Sequence, residues 1–373
     1  MKIGIDARTL YKPSGGVGTY LKNLLAELGS LDQENQYVLF FDAAPPGDLD
    51  PVNFTRRTLH LPFGQNLTTW NTFRLLPELW LRPVDLFHFP FYTMPLVKPG
   101  KSVVTIHDLT YKLHPEWFNW KAWLTFRPFS YRAAKAADRI LTVSYTSRED
   151  ILRSYRLPEQ KVVVTYHGVS EHFHKICDRG PLDEVQDSYG LRHPLLLYVG
   201  SITLRKNLVR LLWAFHQLVT EKRVDAHLLL VGRTLAPYPD LPSLVKELGL
   251  EARVSFISEY ISQETLCRLY NLADLFIYPS LYEGFGLPVL EAMACGTPVV
   301  TSRVSSLPEV AGEAAILVDP YNPQEITEAL WVGLTDGRLR GELMQRGLER
   351  VKKFSWRKTA QETLQVYQSV LAL

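Results

Sequence analysis

At 373 residues the chain exceeds what one hydrophobic core usually supports, so two domains of ordinary size are expected. An apolar fraction of 46% and a charged fraction of 21% exclude a disordered or fibrous chain. With 41 Lys and Arg against 39 Asp and Glu, the net charge of +2 excludes a general nucleic-acid binder.

The opening run MKIGIDARTL is broken by Asp6 and Arg8, so it reads as a strand and not as a signal peptide or anchor. No later stretch has the length of a membrane span. The strand at 2–7 leads into the Gly-rich loop RTLYKPSGGVG and then into TYLKNLLAELGSL, whose apolar residues recur at helical spacing. Short, mostly buried strands are expected next at 37–41, 84–88, 102–107, 140–144 and 162–166. Strands that are apolar on both faces call for a parallel sheet covered by helices.

Asp48 and Asp50 in GDLDP imitate a metal-bound nucleotide-sugar motif. Their Pro-rich surroundings and the lack of a third ligand make them turn residues, and no metal is expected. Cys177, Cys267 and Cys295 stand far apart with no metal spacing, which fits a reducing cytosol.

The irregular stretch at 172–194, with Gly180 and Pro181, separates a first domain at 1–180 from a second at 190–354. The second repeats the α/β pattern, with strands at 195–200, 227–232, 253–257, 275–280, 298–302 and 315–318. Residues 355–373 form one amphipathic helix expected to pack back on the first domain, with Leu364, Tyr367 and Leu371 as its buried face. The fold class is therefore α/β, with two Rossmann-like, doubly wound domains.

Ligands of parallel sheets bind beyond the carboxyl ends of the strands, so the residues just after each strand carry the chemistry. After LLLYVG comes SITLRKN and a helix, which puts Arg205 and Lys206 at an exposed helix N-terminus. Cations there oppose the helix dipole. Either an anion such as a diphosphate resolves the conflict, or the two form a solvated surface pair.

After LFIYPS comes LYEGFGLPVLEAMACGTPVV, with Glu283 in a Gly-rich turn and Glu291 eight positions later on a short helix that Pro288 opens and Gly296 closes. Two such carboxylates can accept hydrogen bonds from vicinal hydroxyls; the plainer alternative is a turn residue and a dipole complement.

In the first domain VVTIH ends on His107, either a satisfied structural histidine or a catalytic one, and Gly15, Gly16 and Gly18 follow the first strand. Leu21 breaks the dinucleotide GxGxxG pattern, so these glycines offer only close backbone approach to a phosphate or sugar. The stretch WFNWKAWLTFRPFSYRAAKAADR, with Trp117, Trp120, Trp123, Phe126, Phe129, Lys121, Arg127, Arg132 and Lys135, suits either a membrane interface or the first domain's core.

Together these residues resemble the retaining glycosyltransferase family 4, the glycosyl transferases group 1 with the GT-B fold of two domains facing across a cleft. The resemblance covers nearly the whole chain. Its most specific part is YPSLYEGFGLPVLEAMACGTPVV, which looks like the family's Glu, seven residues, Glu motif; YVGSITLRKN and VVTIHDLTY follow. It implies that Arg205 and Lys206 bind the donor diphosphate, Glu291 the ribose and Glu283 the transferred sugar. His107 would contact the sugar near the reacting carbon, and Gly15 and Gly16 would close on the phosphates. Gly200, Ser201, Gly284, Phe285, Gly286 and Leu287 complete the implied donor-binding set.

SGGVGTYLKNL, FHFPFY and HDLTYKLHPEWF look most like bacterial mannosyltransferases of surface polysaccharide assembly, which implies GDP-mannose as donor and a glycan or lipid-linked acceptor. A cytoplasmic protein with peripheral contact at the inner face of the membrane is expected. Two departures stand out. YHGV replaces the family's frequent Asn-Gly-Val, and Ser258-Glu259 occupy a strand end where a single glycine is usual and where the family contacts the base. The rival readings are a nucleotide-sugar epimerase of the same fold and a sugar-binding protein without catalysis.

Overall fold

The computed structural model describes all residues except 12–15, 45–52, 61–69, 119, 236–237 and 239, with the backbone alone at Tyr11 and 120–126. The chain divides into two compact units, Met1–Gly168 joined by Ser355–Leu373, and Val169–Phe354. The division precedes the 180–190 boundary expected from sequence. That irregular stretch contains the helix Gly180–Ser188, whose Leu182 and Val185 are buried and which packs on the helix Gln263–Leu272 of the second unit.

The first unit is built on strands β1 (Lys2–Asp6), β2 (Gln36–Phe41), β3 (Phe54–Thr58), β4 (Leu86–Phe89), β5 (Ser102–Thr105), β6 (Arg139–Thr142) and β7 (Val162–Val164). All pairs are parallel, in the order β3-β2-β1-β4-β5-β6-β7. In this register Ile3 lies beside Tyr37 and Leu86.

β3 is not among the strands expected from the sequence. Its FTRRT is an edge strand with one neighbour, so it lacks the apolar run of the interior strands. Ile5, Leu39, Val104 and Ile140 are fully buried, each worth about 1.5–3 kcal/mol of transfer from water.

The final helix, Trp356–Leu371, packs along the helix Gly16–Leu31 within this unit. Its buried face is Ala360, Thr363, Val366, Tyr367 and Val370, while Leu364 and Leu371 are half-buried at the margin. Thr359 and Thr363 donate to the carbonyls of Ser355 (3.1 Å) and Thr359 (2.7 Å), so their hydroxyls enter the interior satisfied and the face rotates from the expected one. Gly168 lies against this helix start, where a Cβ would stand 2.1 Å from the Trp356 nitrogen.

The second unit holds β8 (Leu195–Val199), β9 (His227–Val231), β10 (Val254–Ile257), β11 (Leu275–Tyr278), β12 (Val299–Ser302) and β13 (Ala315–Val318). These are again parallel, in the order β10-β9-β8-β11-β12-β13. Strand order therefore reverses between β1 and β4 in one unit and between β8 and β11 in the other, and such reversals open a crevice at the strand ends. Among the described residues no helix is long and apolar enough to cross a membrane.

Candidate active site

In the second unit two loops leave adjacent strands at the reversal point, residues 200–207 after β8 and 279–286 after β11. The first needs backbone-to-backbone contact. Gly232 has φ +150°, and a Cβ on it would stand 2.0 Å from the Gly200 carbonyl oxygen. Asn207 ties the loops together, its side-chain amide donating to the carbonyls of Pro279 (3.1 Å) and Pro320 (2.6 Å), while the Leu281 N–H donates to the Arg205 carbonyl (2.7 Å).

Arg205 and Lys206 occupy a 3-10 turn, Leu204–Lys206, ahead of the helix Leu208–Thr220, and not the exposed helix start expected from sequence. Both converge on one carboxylate. Arg205 Nη1 is 2.5 Å from Glu283 Oε2, Lys206 Nζ is 2.5 Å from Glu283 Oε1, and Lys206 also donates to the Tyr278 hydroxyl. Lys206 is 4% exposed and Glu283 6%, which eliminates a solvated surface pair. Burial pushes the Glu283 carboxyl up, but the charges and hydrogen bonds of Arg205 and Lys206 outweigh it and hold the group at about 2.

Glu283 is fixed from behind. Its N–H donates to Ser305 Oγ (3.0 Å), and its carbonyl accepts from Ser305 Oγ (2.5 Å) and Ser306 Oγ (2.9 Å). Ser306 also donates to the Phe285 carbonyl at 2.7 Å. Gly284, Phe285 and Gly286 are buried, and Gly286 begins the helix Leu287–Ala294.

Glu291, on that helix, is not in the ion pair. Its Oε2 accepts from the Tyr270 hydroxyl at 2.9 Å, and burial raises it to about 7 against that hydrogen bond. Burial thus lifts Glu291 while the neighbouring cations lower Glu283, and opposed shifts of this kind gather at functional sites. Arg205 and Lys206 are brought onto Glu283, whereas Gly200 and Ser201 lie earlier in the β8 loop, Gly200 against Gly232 and Ser201 accepting from the Tyr198 hydroxyl at 3.3 Å.

In the first unit His107 follows β5, 7% exposed, with Nε2 3.1 Å from the Pro90 carbonyl. A carbonyl only accepts, so Nε2 carries the proton and Nδ1 is the accepting nitrogen. Burial lowers its pKa against the pull of that carbonyl and of Asp108. The Tyr20 ring meets it edge-on at 5.0 Å. Gly16 opens the helix Gly16–Leu31, and among the described residues no atom stands where its Cβ would project, whereas Gly15, Asp48 and Asp50 lie outside the described residues.

A cluster at the end of β1 was not expected from the sequence. Arg8 donates to both oxygens of Asp6 (2.9 and 2.6 Å) and to Asn71 Oδ1 (2.8 Å), with its guanidinium 3.7 Å from the centre of the Trp70 ring. The paired charges Asp6 and Arg8 at a strand's carboxyl end were the available signal. Among the described residues no three His, Cys, Asp or Glu side chains are arranged to hold a metal ion.

Residues 14–173 match the family described as Glycosyltransferase Family 4, and residues 185–350 match Glycosyl transferases group 1. The chain is 34% identical to "O-antigen chain mannosyltransferase B" of Escherichia coli over 98% of its own length and 99% of that protein. Among solved structures, sucrose-phosphate synthase from Thermosynechococcus elongatus superposes with a TM-score of 0.76 at 22% identity, covering 100% of this chain and 99% of that one. Anabaena HepE in complex with UDP and glucose gives 0.76 at 18% identity, covering 99% and 100%.

Proposed function

Because this chain belongs to the glycosyl transferases of group 1 and family 4, we propose that it moves mannose from GDP-mannose to an acceptor hydroxyl, with retention, in surface polysaccharide or glycolipid assembly. The convergence of Arg205, Lys206 and Glu283 at the β8–β11 reversal carries this reading. The main chemical demand is to stabilise the departing diphosphate, and two cations fixed at the strand ends, Lys206 buried and Arg205 half-exposed, supply positive charge without a metal. Glu291 serves the ribose, Glu283 the transferred sugar, and His107 Nδ1 accepts a sugar hydroxyl. The leaving diphosphate oxygen takes the acceptor's proton as attack occurs on the face it vacates.

The mannosyltransferase relative supports mannose as the transferred sugar. UDP, bound in HepE, is the competing nucleotide. A thermal-shift screen of GDP, UDP and ADP tests the base, since a ligand of the native state raises apparent stability. GDP is expected to give the largest shift; a larger shift with UDP overturns the guanine reading. Nucleoside diphosphate released from the sugar donor only when an acceptor is present favours transfer over epimerisation.

The acceptor is glycan or lipid-linked, met by peripheral membrane contact through 117–135. Phe118, Arg127, Tyr131, Arg132 and Lys135 on that stretch are exposed. Failure to co-sediment with anionic liposomes at low salt removes the membrane part.

A further inference from the structure

We infer that Tyr278 is a positioning residue that aims the Lys206 ammonium for the transfer step, an inference that rests on Lys206 being a diphosphate ligand. Tyr278 is the last residue of β11 and 1% exposed. Its ring runs nearly parallel to Tyr198 (centroids 5.9 Å, 17°) and to Phe276 (5.9 Å, 20°), and its carbonyl accepts from Thr301 Oγ1 at 2.9 Å. The phenol is thereby fixed by strand, stack and backbone, and its hydroxyl accepts an N–H of Lys206.

A lysine side chain has four rotatable bonds and no preferred direction at its tip. Two acceptors define that direction here, Glu283 and Tyr278, and they differ in kind. Glu283 aims the ammonium while cancelling its charge. Tyr278 aims it with a neutral oxygen, because burial first and the Glu283 charge second keep the phenol protonated. A neutral acceptor orients the cation and leaves its charge for the developing phosphate charge. Strand interiors in such sheets are ordinarily filled by aliphatic residues, and a tyrosine whose hydroxyl ends on a buried lysine departs from packing need alone.

The test is Tyr278→Phe, which keeps the ring stack and removes only the hydroxyl, assayed as GDP release from GDP-mannose with α-mannobiose as acceptor. A hydrogen bond to a charged group predicts that kcat falls about tenfold while donor KM changes less than about threefold. Unchanged kcat, with or without a lower Tm, overturns the inference. In a Lys206→Met background the same substitution is expected to have no further effect on kcat, whereas an equal factor in both backgrounds assigns Tyr278 to packing and overturns it. Should Lys206→Met not fold, the kcat against KM split of Tyr278→Phe decides alone. A wild-type protein that releases nucleotide from neither GDP-mannose nor UDP-glucose overturns the donor reading and this inference with it; an active wild type with an unaffected Phe variant overturns this inference only.

Discussion

Glu283 and Lys206 form a buried ion pair at 2.5 Å, and Arg205 closes on the other oxygen of the same carboxylate at the same distance. The cations that would meet a diphosphate are thus already engaged by an anion of the chain itself, so a donor must compete with Glu283. Glu283→Gln removes the competing charge but also the group proposed to act on the sugar. GDP affinity by calorimetry is expected to rise about tenfold, the worth of one charge-assisted hydrogen bond, while turnover falls on the order of a hundredfold. Weaker GDP binding in that variant would mean the pair supports the site without competing for it.

Arg205→Ala and Lys206→Ala separate chemistry from stability. Each is expected to lower turnover about a hundredfold, or about 3 kcal/mol of transition-state stabilisation. Loss of either cation leaves the buried Glu283 half-paired and lowers Tm, more for the buried Lys206 than for the half-exposed Arg205. Arg205→Lys recovers only part of the rate, because a point charge does not reproduce a planar fork. Steady-state turnover beside melting curves reads both, and near-normal turnover in a folded double Ala variant sinks the proposed mechanism.

Glu291 confers a pH dependence of the opposite sign to an ordinary carboxylate. Unfolded, it releases its proton near 4.5, and in the fold near 7. Between those values the folded state holds the extra proton, so this group's contribution to stability falls as pH rises and levels off above about 7. Glu291→Gln mimics the protonated form. Urea midpoints from pH 5 to 8 are expected to decline less steeply in the variant than in the wild type; parallel curves would show that Glu291 titrates normally.

Removing the final helix is expected to damage the first unit and spare the second. Tyr367 donates to or accepts from His88 Nδ1 at 2.6 Å, and His88 Nε2 reaches Thr105 Oγ1 at 2.7 Å, so the helix is hydrogen-bonded to the ends of β4 and β5. A chain ending at Ser355 should give early cleavage within 1–168 under limited proteolysis and a protected fragment across 169–354. Equal protection of both would refute it.

The interior strands were legible because apolar runs on both faces have few other uses, and the site loops because ligand chemistry gathers at strand ends. What escaped the sequence was tertiary. A lysine is read as surface until a partner is known, so the burial of Lys206 was invisible, and Tyr278 passed as one more apolar strand residue. Cys267 and Cys295, 28 positions apart, bring their sulfurs within 3.8 Å because two helices happen to abut, and no spacing rule announces that. Asp6 and Arg8 were noticed only as interruptions of an apolar run, since their partners Trp70 and Asn71 lie more than sixty residues on.

The first unit is discontinuous in sequence, and this sets an order of events on the ribosome. Domains generally complete themselves from the amino end as they emerge. Here the strands of the first unit are made early, but the helix that covers them is made only after the whole of residues 169–354. The second unit, contained wholly between residues 169 and 354, can close first. Until residues 356–371 leave the exit tunnel, the nascent chain carries one finished body and one with an uncovered apolar face. A stop codon or a stall just before residue 355 would therefore leave an aggregation-prone chain whose second unit is already folded.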